Sequence, residues 1–215
     1  MLHILYIDTS SEFSHILLMN ETHILHEIKS ELPNEHAQKI NIHIATILQS
    51  CNISFSDLNA VVVVNGPGSY TGLRIGLASA KGFCFAYDIP LILLNRFQLL
   101  LQTVSKELCE YKGFIIQARQ DEFYFQYFEN DKLVNDENVK SKAEIETLQQ
   151  KFSMKIYGLD QSLMSIFSDI EIFEIQNEAI LFLCNQFYSE KNFANLIEAE
   201  PFYIKNVFVN KINNL

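Results

Sequence analysis

The chain has 215 residues, 48% of them hydrophobic, with 17 Phe, 9 Tyr and no Trp, enough for one large core or two lobes. Its net charge is −10, with 7 Lys and Arg against 10 Asp and Glu in residues 1–112 and 9 against 16 in 113–215. Nucleic-acid affinity rests mainly on basic side chains that neutralise phosphates. No basic run exists here, which argues against direct tight binding of nucleic acid.

The chain opens with Met1-Leu2-His3-Ile4 and reads as a strand over 3–9. No basic, apolar leader is expected ahead of it. Strands are predicted at Ser14–Met19 and His23–Ile28, with Asn20-Glu21-Thr22 as the turn, which makes an antiparallel meander. Leu32-Pro33-Asn34 breaks the pattern, and Asn34 is placed to cap a helix running to about Cys51. Ile40, Ile44, Ile47, Leu48 and Cys51 fall on one face of that helix, and Ile42 lies off it, hinting at a second contact surface.

Residues 60–87 form the centre of the chain. Val61–Val64 reads as a strand buried on both faces, and it stops at Asn65-Gly66-Pro67-Gly68. Ser69 is a candidate cap for the next helix. Inside that helix Gly72, Gly76 and Ala80 are spaced i, i+4, i+8, although a helical glycine costs about 1 kcal/mol relative to alanine. The stripe lets another backbone approach closely. It suits an internal contact with the sheet or a neighbouring helix, or a surface reserved for a partner's helix.

Pro90 precedes an apolar strand, Leu91–Leu94, and 96–110 reads as helix. The order βββαβαβα suits a mixed sheet with helices on its faces. A second cycle begins at Gly113, with strands Phe114–Ala118, Glu122–Glu129 and Leu133–Val139 and a turn at Asn130-Asp131. Helix 142–151, strand Lys155–Tyr157 and helical stretches Asp160–Phe167 and Glu178–Tyr188 follow, and the tail returns to the fold near Pro201. The reading is an α/β chain of two related lobes: a first lobe over 1–110 and a second, reduced lobe over 111–215.

Sites for chemistry are sparse. The Walker pattern and the dinucleotide fingerprint both fail after Gly68, where Leu73, Arg74 and Thr71 stand at the required positions. His36 and His43 share a helix at i, i+7, roughly 10 Å apart along the axis, where a shared ion wants i, i+4. Pro67-Gly68-Ser69-Tyr70-Thr71 lacks both flanking glycines of a nucleophile elbow, so Ser69 is better read as a cap. Asp8, at a strand end, suits a turn or a hydrated Mg²⁺. Cys51, Cys84, Cys109 and Cys184 form no CxxC pair, and the flanks Phe83, Phe85 and Leu183 look like core. No apolar stretch approaches a membrane span. A reduced, soluble, cytoplasmic protein with no bound cofactor or metal is expected.

The segment GPGSYTGLRIG at 66–76 resembles the signature of the TsaB family, the bacterial partner subunit in making threonylcarbamoyladenosine in tRNA. The resemblance extends to ILYIDTSSEFSHILL at 4–18, EHAQKINIHI at 35–44, IPLILLNRFQLL at 89–100, QARQDEFYFQYF at 117–128 and AEPFYIK at 199–205, and it is loose over 129–198. It implies an actin-like fold (sugar kinase and heat-shock ATPase class) of two ribonuclease H-like lobes. It also implies a non-catalytic subunit that binds and supports TsaD, the related catalytic subunit, with the ATPase TsaE joining them. The complex would form N6-threonylcarbamoyladenosine at position 37 of tRNAs reading ANN codons, this chain touching tRNA only indirectly.

On that resemblance the helix pair 35–50 and 69–86 supplies the contact. His36, Lys39, Ile42, His43, Ser69, Tyr70, Gly72, Leu73, Arg74, Gly76 and Ala80 are its candidate interface residues. Gly76→Leu is then expected to break the complex without unfolding the chain, and the lone chain could pair with itself through the same helices. The catalytic relatives carry a His-x-x-x-His pair, and alignment on Asn95 puts Arg96 and Leu100 there. The alternative reading is a free-standing ATP-dependent enzyme of the sugar kinase or acetate kinase type. Against it stand a first hairpin, Asp8 to Ser14, without glycine, and a second lobe whose only glycines are Gly113 and Gly158.

Overall fold

The computed structural model describes residues 2–119, 121–134 and 138–202. Two mixed sheets carry the chain. In the first, β1 (Ile4–Asp8), β2 (His15–Met19) and β3 (Ile24–Lys29) run as an antiparallel meander, then β4 (Ala60–Gly66) and β5 (Leu91–Asn95) add in parallel beside β1, giving the order β3-β2-β1-β4-β5. The valine run explains why β4 sits inside. Val61 and Val63 pack on one face while Val62 and Val64 pack on the other, all without solvent contact. Each such side chain contributes about 1.5–3 kcal/mol by leaving water.

Helices α1 (His36–Ser50) and α2 (Tyr70–Tyr87) cover the first of these faces, through Ile40, Ile44, Ile47, Leu48, Leu77, Ala80 and Cys84. Ser69 caps α2, its Oγ accepting from the Gly72 N–H at 3.2 Å. Asn34 does not cap α1. It lies in the left-handed region at φ 62°, its N–H donates to the Glu12 carbonyl, and Glu35 stands at the N-cap without a side-chain hydrogen bond.

Helix α3 (Arg96–Thr103) begins directly at the end of β5, capped reciprocally: Asn95 Oδ1 accepts from Phe97 N–H at 2.8 Å and Gln98 Oε1 from Asn95 N–H at 3.1 Å. It is shorter than the predicted 96–110, because the backbone turns at Val104 and Ser105 before the second sheet.

The second sheet repeats the first. β6 (Tyr111–Arg119) pairs antiparallel with β7 (Glu122–Glu129); β8 (Lys132–Leu133) and β9 (Asn138–Ser141) both pair with β7; β10 (Lys155–Gly158) and β11 (Glu171–Ile172) add in parallel on the other side. The predicted strand Leu133–Val139 is thus two short ones, with 135–137 outside the described residues. Asn130 and Asp131, both at positive φ, make the turn that sets Glu129 opposite Lys132. Helix α4 (Lys142–Phe152) covers one face through Ile145, Leu148 and Phe152, and the predicted helix 160–167 is a 3₁₀ turn over Gln161–Ser165. Phe114, Ile116, Phe128 and Tyr157 on the other face meet Phe97, Leu100 and Val104 of the first lobe.

The last described part of the chain departs from the expected lobe boundary. Helix α5 (Asn177–Ser189) packs Ile180, Leu183, Cys184 and Phe187 on the first sheet, beside Ile4, Tyr6 and Val62. Ala194 N–H then bonds the Leu91 carbonyl and Phe202 N–H the Asn65 carbonyl. The first lobe therefore takes back residues 177–202, since α5 is the cover its second face needs. The remainder of the AEPFYIK stretch, 203–205, lies outside the described residues.

Candidate docking surface

The glycine stripe of α2 is filled from within the chain. A Cβ on Gly72 would collide with the Thr9 carbonyl oxygen, one on Gly76 with Thr9 Oγ1, and one on Gly68 with the Ser10 carbonyl. Thr9 Oγ1 donates to the Gly72 carbonyl at 2.7 Å, and Ser69 N–H donates to the Ser10 carbonyl at 2.7 Å. The β1–β2 loop thus lies on the first turns of α2, and the stripe is an internal contact.

This corrects the interface candidates. Gly72, Leu73, Gly76 and Ala80 are buried in their own lobe, and His36 is buried with Nε2 2.8 Å from the Ser11 carbonyl. Ile42, Ser69 and Arg74 are exposed; Lys39, His43 and Tyr70 are partly so, with the Arg74 guanidinium 3.9 Å from the centre of the Tyr70 ring. A second row of small residues, one helical step away, is exposed. Ala78, Gly82 and Phe85 continue from Arg74 along the outer side of α2, and a Cβ on Gly82 would meet nothing within 4 Å. Phe85, expected in the core, is 82% exposed, and Ile42 on α1 is 56% exposed. Ala45 is also exposed on α1. Each of the two helices thus carries one large exposed apolar side chain together with exposed small residues. The spacing 74, 78, 82, 85 was visible in the sequence; Phe85 was obscured by the apolar run around Cys84.

The end of β1 is the other place where chemistry was considered. Asp8 Oδ1 accepts from Ser10 N–H at 2.8 Å and from Ser10 Oγ at 2.6 Å, so it closes its own turn. Tyr6 Oη lies 3.4 Å from its other oxygen, and burial, with Asp8 adding to it, raises the Tyr6 pKa. Arg96 lies in the same neighbourhood: burial lowers its pKa, while Asp8, Tyr6 and Asp160 act in the opposite direction. Among the described residues, no group of three or more His, Cys, Asp or Glu is placed to hold a metal ion, and no helix is long and apolar enough to cross a membrane.

Two topologically matching mixed sheets, each with its own helices, define an actin-like α/β protein, and known structures agree. YeaZ from Pseudomonas aeruginosa superimposes with a TM-score of 0.76 at 21% identity, covering 94% of this chain and 100% of that one. A family model described as tRNA N6-adenosine threonylcarbamoyltransferase, TsaD, matches residues 26–197. The tRNA threonylcarbamoyladenosine biosynthesis protein TsaB of Bacillus subtilis is 31% identical over 169 residues, 74% of this chain and 72% of its own. TsaB of Haemophilus influenzae is 25% identical over 94% of this chain and 93% of its own. The chain belongs to the TsaB family, within the wider group described by the TsaD model.

Proposed function

We propose that this chain is a non-catalytic partner subunit in forming N6-threonylcarbamoyladenosine at position 37 of tRNAs reading ANN codons. It docks on the catalytic subunit TsaD through the outer sides of α1 and α2 and supports that subunit's activity. TsaE joins the pair, tRNA is reached only through TsaD, and the assembly works in the cytoplasm. Without TsaD the same surface pairs two copies of the chain. The observation that carries this reading is the exposure of Ile42 and Ala45 on α1 and of Ala78, Gly82 and Phe85 on α2. Exposed apolar surface of this kind marks interaction sites in soluble proteins. The names of the relatives supply the pathway.

The test is size-exclusion chromatography of the chain with and without TsaD of the same organism, with tRNA modification assayed in parallel. A co-eluting complex, and modification only in the mixture, is expected. Separate elution, or full modification by TsaD without this chain, overturns the reading.

A further inference from the structure

A second surface lies on the α5 side of the first sheet, the face opposite α1 and α2. An open groove of about 960 Å³ runs there between α5, the start of β1 and the β2–β3 turn. This is within the size range of ligand sites. Its floor is apolar, from Leu2, Leu181, Phe182 and Tyr188, and Phe182 is 53% exposed.

Three side-chain donors of the lining are engaged: Asn185 Nδ2 bonds the Glu21 carbonyl at 3.0 Å, Gln186 Nε2 bonds Glu190 at 2.8 Å, and Ser189 Oγ bonds the Gln186 carbonyl at 2.8 Å. Acceptors are left over. Asn185 Oδ1 is buried without a partner among the described residues, its orientation fixed by the bond its amide nitrogen makes. Glu21, whose Oε1 accepts from the Leu2 N–H, and Glu178 place two carboxylates on the lining. None of the described lining residues is Lys, Arg or His. A buried acceptor left unpaired is unfavourable, so its natural complement is an N–H donor brought by a partner.

We infer that this groove docks an amphipathic, cationic segment of a partner protein, with aliphatic side chains on Phe182 and Leu181 and Lys or Arg facing Glu21, Glu178 and Asn185. The site is separate from the α1–α2 face, so both are open to occupation at once.

The probe is a fluorescein-labelled peptide of about 14 residues, roughly four helical turns. It carries Leu on one face and Lys on the other, and is compared by anisotropy with a counterpart in which Glu replaces Lys. The Lys peptide should bind at least about tenfold more tightly, as charge complementarity demands. Glu178→Lys and Phe182→Ser should each weaken it at least about fivefold, while Glu31→Lys, an equal charge change at an exposed residue away from the lining, should stay within about twofold. Circular dichroism checks that each variant is folded. No binding of the Lys peptide, equal binding of both peptides, insensitivity to the two groove variants, or an equal loss with Glu31→Lys overturns the inference.

Discussion

Thr9 Oγ1 donates to the Gly72 carbonyl at 2.7 Å while its own hydroxyl and backbone occupy the space where side chains at Gly76 and Gly72 would begin. The glycines of α2 are therefore a folding requirement. Gly76→Leu should destabilise the chain by about 3 kcal/mol or more, the upper range for overpacking against atoms that cannot yield. Gly72→Ala should do the same against backbone, and Gly82→Ala, with open space around it, should be neutral or stabilising by up to about 1 kcal/mol. Urea denaturation of the three variants decides the matter. A Gly76→Leu protein as stable as the parent would show that the β1–β2 loop does not sit on α2.

The docking surface is tested by changes that leave the core alone. Ile42→Glu and Phe85→Glu put a charge into the proposed contact at positions that are mostly solvent-exposed. Each should cost at least about 2 kcal/mol of TsaD affinity, roughly thirtyfold, if they act as central apolar anchors. Melting temperatures should stay close to the parent's. Calorimetry with TsaD reads the first quantity and a thermal melt the second; unchanged affinity in both variants removes α1 and α2 from the interface.

Nucleotide binding separates the proposed subunit role from the kinase-type alternative. In this chain the Asp8–Ser14 segment has no glycine, and the Ser10 carbonyl already takes the Ser69 N–H at the start of α2. Phosphate capture at a helix N-terminus needs those N–H groups free. Titrating ATP and Mg²⁺ into the isolated chain should give no binding heat. Saturable heat at micromolar concentrations would favour the alternative.

The first sheet was legible because its signals are local. The valine run, the Asn20-Glu21-Thr22 turn and Pro90 each act within a few residues, and the Ser69 cap follows from one hydroxyl. Tertiary demands were less visible. Nothing around 177–189 says that α5 must cross back to cover Tyr6 and Val62, because an amphipathic helix does not name the sheet it covers. The stripe at 72, 76 and 80 signalled close approach, yet only the fold shows that the approaching backbone is Thr9. Phe85 was misread since an apolar residue in an apolar run carries no mark of exposure. The groove acceptor Asn185 was missed entirely, as its partner shortage exists only in three dimensions.

Acid should weaken the fold through His15. Burial lowers its pKa below the usual 6.5, despite the opposing pull of Asp8 and of Glu27, whose Oε1 lies 2.8 Å from Nε2, and Lys29 lowers it further. The folded chain thus holds this proton less tightly than the unfolded chain does. Stability from this group is complete above pH 6.5 and is lost as pH falls through the lower folded value. His15→Gln should flatten the stability profile in that window, read by urea midpoints across pH. A proton NMR titration placing His15 above 6.5 would reverse the sign and refute the prediction.

Asp8 ends β1 and Arg96 opens α3 directly after β5, with β4 between the two strands, and the charge of Asp8 acts on the guanidinium across that gap. Two effects compete in Arg96→Met. Removing Nε, which is buried without a partner among the described residues, relieves a desolvation cost of about 1–3 kcal/mol. Removing the cation also takes away an attractive charge near Asp8, only 8% exposed, and such attraction is stronger in a low-dielectric interior than in water. Arg96→Met should therefore be less favourable with Asp8 present than in an Asp8→Asn background. Asp8→Asn preserves the acceptor for Ser10, so in that background Arg96→Met should be nearly neutral or stabilising. A double-mutant cycle by urea denaturation should therefore give a coupling of about 1 kcal/mol or more, and strict additivity would mean that the two charges do not interact.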